Sequence, residues 1–362
     1  MDKIDKVKKD FIKYYAEENK KLGAEPAQVS IILSLLMEKD LISQEKIIKL
    51  TGYKKTTISK TLTYITNESP IKKLIEVKIE EKNKKKYRIR LNFLDYTKVR
   101  IRIPSEIAKK NSEVIKFYYS KLKSIDQNIS SVKHIKTVLE TYYLLFRTYQ
   151  ELNSEIIEKF DIFLENRELE LTFNNLRNLL DELFELKPQD SAMDISTFKK
   201  DFMKALLESD KPMGRDQYEQ AIRLVLVIEE EPITQKDIVE ITGVSNGKVS
   251  EVLKVLEKQK VLKKIKKKGI RTKFYQIDQP IVDYLNYRIE MTLINAEELI
   301  KNIEQVYWSE KIPKLPDSKE KEEFKNFLEI LLVSNQFFVR LIKKYMVEIS
   351  KQIREEGLFK SN

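Results

Sequence analysis

Two short stretches of lysine and arginine, one in each half of the chain, hold the side chains best suited to binding a polyanion. Neither stretch contains an acidic residue, so no neighbour in the sequence neutralises its charge. Ammonium and guanidinium groups arranged in this way bind phosphate groups. The cations of the first stretch are Lys82, Lys84, Lys85, Lys86, Arg88 and Arg90, and those of the second are Lys263, Lys264, Lys266, Lys267, Lys268, Arg271 and Lys273.

A second set of polar side chains precedes each basic stretch. These are hydroxyl, amide and amine groups at the start of a predicted helix, where such groups contact phosphates and base edges in a DNA major groove. In the first half they are Lys54, Lys55, Thr56, Thr57, Ser59, Lys60 and Thr63, and in the second half they are Ser245, Asn246, Lys248, Ser250 and Lys254. Our candidate DNA-binding residues are these two sets and the following cations of the basic stretches: Lys82, Lys84, Lys85, Lys86, Arg88, Lys266, Lys267, Lys268, Arg271 and Lys273.

A helix-turn-helix pattern is predicted to position each polar set. In the first half, Ser43 is a suitable N-cap for a short helix, and Gly52 is suited to the turn because a residue ending a helix often needs a positive φ. A second helix is predicted to follow, with apolar residues at helical spacing on its inner face. In the second half, Thr234 and Gly243 take the same two roles.

Each helix-turn-helix pattern is followed by two segments in which apolar and polar residues alternate. The segments are 74–79 and 86–91 in the first half, and 261–265 and 272–277 in the second. Alternation with a period of two predicts β-strands, and the short separation within each pair predicts a β-hairpin. The basic stretches fall on these hairpins.

The two halves are copies of one another. The segment Ile42–Tyr53 reappears as Ile233–Val244 at an offset of 191, and the same offset carries Phe11 onto Phe202. Solenoid repeats have periods of about 20–50 residues, so this repeat indicates a duplicated domain. We predict a first repeat at 1–165 (helix-turn-helix 43–67, hairpin 74–91) and a second at 192–362 (helix-turn-helix 234–258, hairpin 261–277). A helical linker at 166–191 joins them.

Long helices are predicted to complete both repeats. Residues 105–187 contain neither glycine nor proline, and apolar residues recur there at steps of three and four. Residues 281–312 and 317–356 have the same character, with prolines between them. The predicted fold class is therefore mainly α, with two winged helix-turn-helix domains, each with a small β-hairpin wing, linked and flanked by long helices.

Residues 212–278 resemble the winged helix of MarR-type regulators, most closely the GbsR branch. The matching stretches are 233–238, 243–250 and 268–275, and the wing pattern of that family is found at Gly269, Arg271 and Tyr275. The first repeat departs from the pattern, with Asn83 and no glycine at the tip of its hairpin. The resemblance implies DNA binding and a pair of winged helices. Members are usually dimers, so a fused duplicate implies either an intramolecular pseudo-dimer or a homodimer.

Composition narrows the classes of function. The net charge of +11 and a pI near 9.2 favour a polyanionic partner. Cysteine is absent and His134 is the sole histidine, so we expect no metal site of cysteine or histidine ligands. No phosphate-binding loop motif occurs. We expect no catalytic residues, no cofactor, no membrane span and no signal peptide, and a cytoplasmic, nucleoid-associated protein.

Three functions remain open from the sequence. The leading one is a double-stranded DNA-binding transcriptional regulator that uses two unlike winged-helix modules in one chain. The first alternative is an architectural, chromatin-like protein with low sequence specificity, and the second is a protein-interaction scaffold. Aromatic residues on the long helices, such as Tyr142 and Phe338, suit either an effector pocket or helix packing. The effector, if one exists, is unknown.

Overall fold

The computed structural model describes residues 2–21, 24–38, 40–80, 84–166, 176–189, 193–210, 216–266, 269, 271–279 and 281–355, and within them the chain is mainly helical. The helices of the first repeat and the linker are α1 (Lys3–Lys21), α2 (Pro26–Met37), α3 (Gln44–Thr51), α4 (Lys55–Asn67), α5 (Phe93–Leu122), α6 (Ser130–Asn166) and α7 (Leu176–Phe184). Those of the second repeat are α8 (Ile195–Asp210), α9 (Gln217–Ile228), α10 (Gln235–Thr242), α11 (Asn246–Lys258), α12 (Ile281–Asn302) and α13 (Lys319–Glu355).

Each repeat also contains a small antiparallel sheet of three strands. The strands are β1 (Ile42–Ser43), β2 (Ile75–Ile79) and β3 (Lys85–Ile89), then β4 (Ile233–Thr234), β5 (Leu262–Lys266) and β6 (Lys273–Ile277). The strand orders are β1-β3-β2 and β4-β6-β5, so the third strand of each set lies in the middle. Both predicted hairpins are present, with ends that differ by one or two residues from the predicted ranges.

The sequence repeat recurs in the bounds of the elements. The strand β1 and the helices α2, α3 and α4 begin and end 191 residues before β4, α9, α10 and α11. After the hairpins the offset becomes 189, because α6 spans 130–166 and α13 spans 319–355. The two repeats therefore have the same succession of elements, and the change in offset falls between α4 and α6 and between their counterparts.

One of these length differences is absorbed inside a helix. The helix α5 has 30 residues, whereas α12 contributes 22 residues and continues directly into a π-helical segment of nine, Ile303–Lys311, which makes one residue more in all. A π-helical turn accommodates an extra residue within a helix without breaking it. The extra residue of the second repeat is thus accounted for by this segment.

Local chemistry fixes the boundary between the two helices of each pair. The Ser43 hydroxyl accepts a hydrogen bond from the Lys46 amide at the start of α3, as an N-cap does. Gly52 has a φ of 75° at the end of α3, and its N–H donates to Ile48. Thr234 and Gly243, with a φ of 68°, repeat both features at α10. Because side chains with a Cβ are strained at such a φ, glycine is what allows the turn.

The hydrophobic cores join the two repeats. Phe11 of α1 packs edge-on against Tyr307 of the π-helical segment, with ring centroids 4.9 Å apart. Phe202 of α8 packs in the same way against Tyr118 of α5, at 5.4 Å. Phe11 and Phe202 are equivalent at the offset of 191, and Tyr118 and Tyr307 at the offset of 189. The leading helix of each repeat is therefore held by the trailing helices of the other.

The long helices α6 and α13 also pack on one another. Phe160 of α6 lies edge-on to Phe337 of α13 at 4.9 Å, and the Tyr345 hydroxyl donates to the Leu145 carbonyl oxygen at 3.1 Å. The buried cluster around Phe337 includes Ile156 and Leu341. Each of these contacts ties the first repeat to the second.

The predicted linker, 166–191, contains α7. Two parts of it, 167–175 and 190–191, lie outside the described residues. Leu179, Leu180 and Leu183 of α7 are buried against α5 and α6. The linker helix is thus part of the core. Across the described part of the chain, no helix is long and apolar enough to cross a membrane.

Candidate nucleic-acid interface

The helix α4 presents its polar set on the face opposite its core. Ile58, Leu62 and Ile65 are buried on the inner face. On the outer face, six of the seven predicted residues are exposed and Thr57 is half-buried; the six are Lys54, Lys55, Thr56, Ser59, Lys60 and Thr63. Lys54 is the N-cap residue rather than a helical one. The predicted polar face of the first repeat is therefore presented to solvent as a single surface.

The lysines on this face are unpaired among the described residues. The ammonium groups of Lys54, Lys55 and Lys60 make no ion pair with any described carboxylate. Among the hydroxyls, Thr63 Oγ1 donates to the carbonyl oxygen of Ser59 at 2.9 Å. Three cations on one exposed helix face favour an anionic partner at this surface.

The hairpin of the first repeat is less cationic than its sequence suggests. Arg88 pairs with Glu76 at 2.8 Å, directly across the register of β2 and β3, and Lys86 pairs with Glu80 at 2.8 Å. Lys84 and Lys85 are exposed without an ion pair in the described part of the chain, and Lys82 lies outside the described residues. Beside these cations, Ile79 is 62% exposed. Glu76 on β2 and Glu80 directly after it, both of which precede the basic stretch, thus neutralise part of its charge.

The outer face of α11 differs from that of α4 at its one early lysine. Lys248 Nζ lies 3.0 Å from a carboxylate oxygen of Asp216 and 3.5 Å from one of Glu251. Partial burial lowers the pKa of Lys248, but hydrogen bonds and charge interactions with Asp216 and Glu251 together outweigh burial and raise the pKa. Burial raises the pKa of Asp216, but Lys248 and the backbone amides of Tyr218 and Glu219 together hold that pKa below its usual value. The charge of Lys248 is thus stably present and already neutralised.

The remaining polar residues of α11 have local partners or face solvent. Ser245 is the N-cap and accepts a hydrogen bond from the Lys248 amide. Asn246 is exposed, and its side-chain oxygen accepts from Gln235 Nε2 at 2.8 Å. Ser250 is half-buried, and Lys254 is exposed without an ion pair among the described residues. Lys254 is therefore the free cation of this set.

The hairpin of the second repeat retains more of its charge. Lys266, Arg271 and Lys273 are exposed and make no ion pair with the carboxylates that the structure describes. Two other lysines are paired, Lys263 with Asp278 at 3.3 Å and Lys264 with Glu257. The predicted residues Lys267 and Lys268 lie outside the described residues. Among the described candidate residues, the free charge of the second repeat therefore lies mainly on its hairpin, with Lys254 on α11 in addition, whereas that of the first lies mainly on its helix.

A recess of about 380 Å³ opens between α11 and the hairpin of the second repeat. Five of its lining residues carry a positive charge, and the rest are polar or apolar apart from Glu257. The lining residues are Gln235, Lys236, Ser250, Leu253, Lys254, Glu257, Lys264, Arg271, Thr272, Lys273 and Tyr275. We call it the basic recess. Four of the predicted site residues, Ser250, Lys254, Arg271 and Lys273, come together in it.

Sequence reasoning missed two parts of this site. Lys236 lines the basic recess although it lies on α10, outside the predicted polar sets. An alignment of the two repeats contains a signal for it. At the offset of 191, Lys236 corresponds to Glu45, so the charge at this position differs in sign between the repeats. Asp216, which neutralises Lys248, was also missed. It lies 32 residues earlier in the chain, and no local pattern links the two.

A cluster of three acidic residues outside the candidate surfaces is neutralised by lysines. Carboxylate oxygens of Asp5, Glu38 and Glu320 lie close enough together for a metal ion. Lys8 Nζ, however, lies 3.0 Å from Glu38 and 2.8 Å from Glu320, and two further lysines pair with Asp5 at 2.7 Å each. The ammonium groups fill the role that a cation would have here. His134 Nε2, for its part, hydrogen-bonds to the Val227 carbonyl oxygen at 2.9 Å.

The aromatic residues of the long helices pack in the cores. Tyr143 and Phe337 are fully buried, and Tyr142 stacks on Phe146 with centroids 6.0 Å apart. This arrangement favours helix packing over an effector pocket for these side chains.

In comparisons with known proteins, no family model and no curated protein matches this chain.

Proposed function

We propose that this chain binds double-stranded DNA through two winged helix-turn-helix modules, one in each repeat, and acts as a transcriptional regulator. The helices α4 and α11 are the recognition helices, and the hairpins β2–β3 and β5–β6 are the wings. The observation that carries the proposal is a conjunction found twice in the chain. A capped helix, a glycine turn and a second helix with an exposed polar face are followed each time by a hairpin with free cations.

The chemistry of the two recognition helices supports unlike half-sites. At the offset of 191, Lys55 corresponds to Asn246 and Lys60 to Glu251. Lysine reads the acceptors of guanine, asparagine pairs with adenine, and glutamate accepts from cytosine. A duplicated chain is free to read two different half-sites, which a homodimer is not. The proposal is one of binding, without a catalytic step or a cofactor.

A single chain supplies both modules in this proposal. The support is the reciprocal packing of Phe11 on Tyr307 and of Phe202 on Tyr118, which joins the repeats as two subunits of a dimer would be joined. Paired recognition helices enter successive major grooves about 34 Å apart. Sedimentation of the saturated complex is expected to give one chain on a site of roughly 20 base pairs. Two chains on such a site would instead indicate a homodimer.

The proposal draws its regulator class from the resemblance of residues 212–278 to MarR-type proteins of the GbsR branch, and it implies association with the nucleoid. Selection from random double-stranded DNA tests it. We expect a motif with two unlike halves and retention of binding to genomic fragments that contain it. A perfect palindrome contradicts the unlike halves, and the absence of binding to any duplex contradicts the function.

An architectural DNA-binding protein is the second candidate, and one observation favours it. Most free charges on the two surfaces are lysines, and a lysine that contacts a phosphate adds affinity without sequence information. The salt dependence of binding and the affinity ratio between selected and random DNA separate the two candidates. A ratio near one, with a steep salt slope, favours the architectural function. The exposed, unpaired cations of α4 and β5–β6 argue against a scaffold that has lost DNA binding, because such a scaffold does not need a positive surface there.

A further inference from the structure

The basic recess has the size of a ligand site. Its volume of about 380 Å³ falls within the range of roughly 300–1,000 Å³ that is typical of pockets for small molecules. Leu253 and Tyr275, both buried, form its apolar part, and the hydroxyls of Ser250 and Thr272 provide hydrogen-bond donors. A mixed lining of this kind suits a ligand that has both a charged and an apolar portion.

The charge of the recess is unbalanced. Lys236, Lys254, Arg271 and Lys273 line it without an ion pair to any carboxylate that the structure describes. Its one acid, Glu257, is paired with Lys264 and so does not offset the other four. Like charges gathered around a concave surface repel one another and attract an anion into it.

The first repeat lacks this arrangement. At the equivalent positions it has Glu45 in place of Lys236, Thr63 in place of Lys254 and Val77 in place of Lys264. Three cations of the recess are thus replaced by an acid, a hydroxyl and an apolar side chain. The shared fold of the repeats does not account for the charge of the recess, which is a property of the second repeat's sequence.

We propose that the basic recess binds a phosphate group. A guanidinium such as that of Arg271 donates two parallel hydrogen bonds to phosphate oxygens, and lysines add charge from several directions. The phosphate belongs either to the DNA backbone or to a small phosphorylated molecule whose apolar part lies on Leu253 and Tyr275. The first source rests on the proposed function, whereas the second does not depend on it.

The first arm of the test uses inorganic pyrophosphate without DNA, by titration calorimetry at fixed ionic strength. The double variant Lys254→Ala/Arg271→Ala is expected to bind pyrophosphate at least tenfold more weakly than the wild type. The control Lys200→Ala/Lys204→Ala removes the same charge from exposed positions of α8 outside the recess, and we expect it to bind within twofold of wild type. Equal thermal unfolding of the three proteins verifies that the fold is kept.

The second arm measures duplex DNA binding by the same proteins over a range of salt concentrations. If the recess holds a backbone phosphate, the double variant loses about 0.9 in salt slope per lost contact and the control keeps its slope. If the double variant loses pyrophosphate affinity but keeps its salt slope, the ligand is a free phosphorylated molecule. If it loses salt slope but keeps its pyrophosphate affinity, the ligand is the DNA backbone. Wild-type protein that fails to bind DNA but binds pyrophosphate overturns the proposed function and supports the recess. If the double variant and the control behave alike in both arms, the proposal that the recess binds phosphate is overturned.

Discussion

Lys8 Nζ, on the first helix of the chain, lies 2.8 Å from a carboxylate oxygen of Glu320, on the last. Lys8 is 2% exposed and also pairs with Glu38 at 3.0 Å. The pair with Glu38 recurs in the second repeat as Lys199 with Glu229 at 2.7 Å. At the offset of 189, the counterpart of Glu320 is Ser131, which has no carboxylate. The second ion pair of Lys8 is therefore specific to the contact between α1 and α13.

Glu320→Gln is expected to lower the free energy of unfolding by about 1–2 kcal/mol, because it leaves a buried ammonium with one carboxylate instead of two. Glu322→Gln is the matched control. Glu322 pairs with Lys325 at 3.9 Å, both side chains are exposed, and such pairs contribute about 0–1 kcal/mol. Chemical denaturation of both variants measures the difference. Equal effects would show that the buried junction contributes no more than a surface pair.

The stability of this junction is expected to depend on acidic pH through Asp5. Burial raises the pKa of Asp5, but hydrogen bonds from Lys46 and Lys49 outweigh burial and hold the pKa below its ordinary value of 3.8. A lowered pKa in the folded state stabilises the fold above the unfolded pKa, and the gain is lost as the pH falls through the folded pKa. Wild type should therefore exceed Asp5→Asn in unfolding free energy above about pH 4, and the difference should shrink below pH 3.8. A difference that is constant with pH would contradict this assignment.

The lysines of the two helices are expected to differ in their effect on DNA binding. Replacing Lys54, Lys55 and Lys60 by alanine removes three free charges, and each lost phosphate contact should flatten the salt slope by about 0.9. Lys248→Ala should change the slope little, because Asp216 and Glu251 already neutralise that ammonium. Fluorescence anisotropy with a labelled duplex provides the slopes. A full loss of 0.9 on Lys248→Ala would show that DNA displaces Asp216.

The hairpins are expected to contribute unequally, with the second the stronger. Alanine at Lys266 and Lys273 removes two unpaired cations, whereas alanine at Lys86 and Arg88 removes two that pair with Glu80 and Glu76. The first change should therefore weaken binding to all duplexes more than the second, and flatten the salt slope further. The measurement is a comparison of affinities on selected and random DNA. A larger effect from the first hairpin would mean that its acids release their partners on binding.

The sequence predicted the parts of this fold that depend on neighbouring residues. The caps at Ser43 and Thr234, the turns at Gly52 and Gly243 and both hairpins are confirmed. Each depends on contacts a few residues apart. The duplication could be read as well, because identical residue types recur at a constant offset.

The parts that were missed depend on contacts across space. Glu76 neutralises Arg88 because antiparallel pairing brings together residues that are 12 positions apart. The reciprocal packing of Phe11 and Phe202 needs the path of the long helices, which amphipathic periodicity does not define. The sequence alone does not show which cations are neutralised by ion pairs and which are free to bind a partner, because those ion pairs join residues that are distant in the sequence.

The π-helical segment at Ile303–Lys311 explains how the duplicate tolerated a change in length. One residue added to an α-helix turns the part of that helix beyond it by about 100°, which would move its buried side chains away from their partners. By widening locally, the segment keeps Tyr307 packed on Phe11 with ring centroids 4.9 Å apart. The two halves thus differ in length here while the equivalent pairs, Phe11 with Tyr307 and Phe202 with Tyr118, are both present.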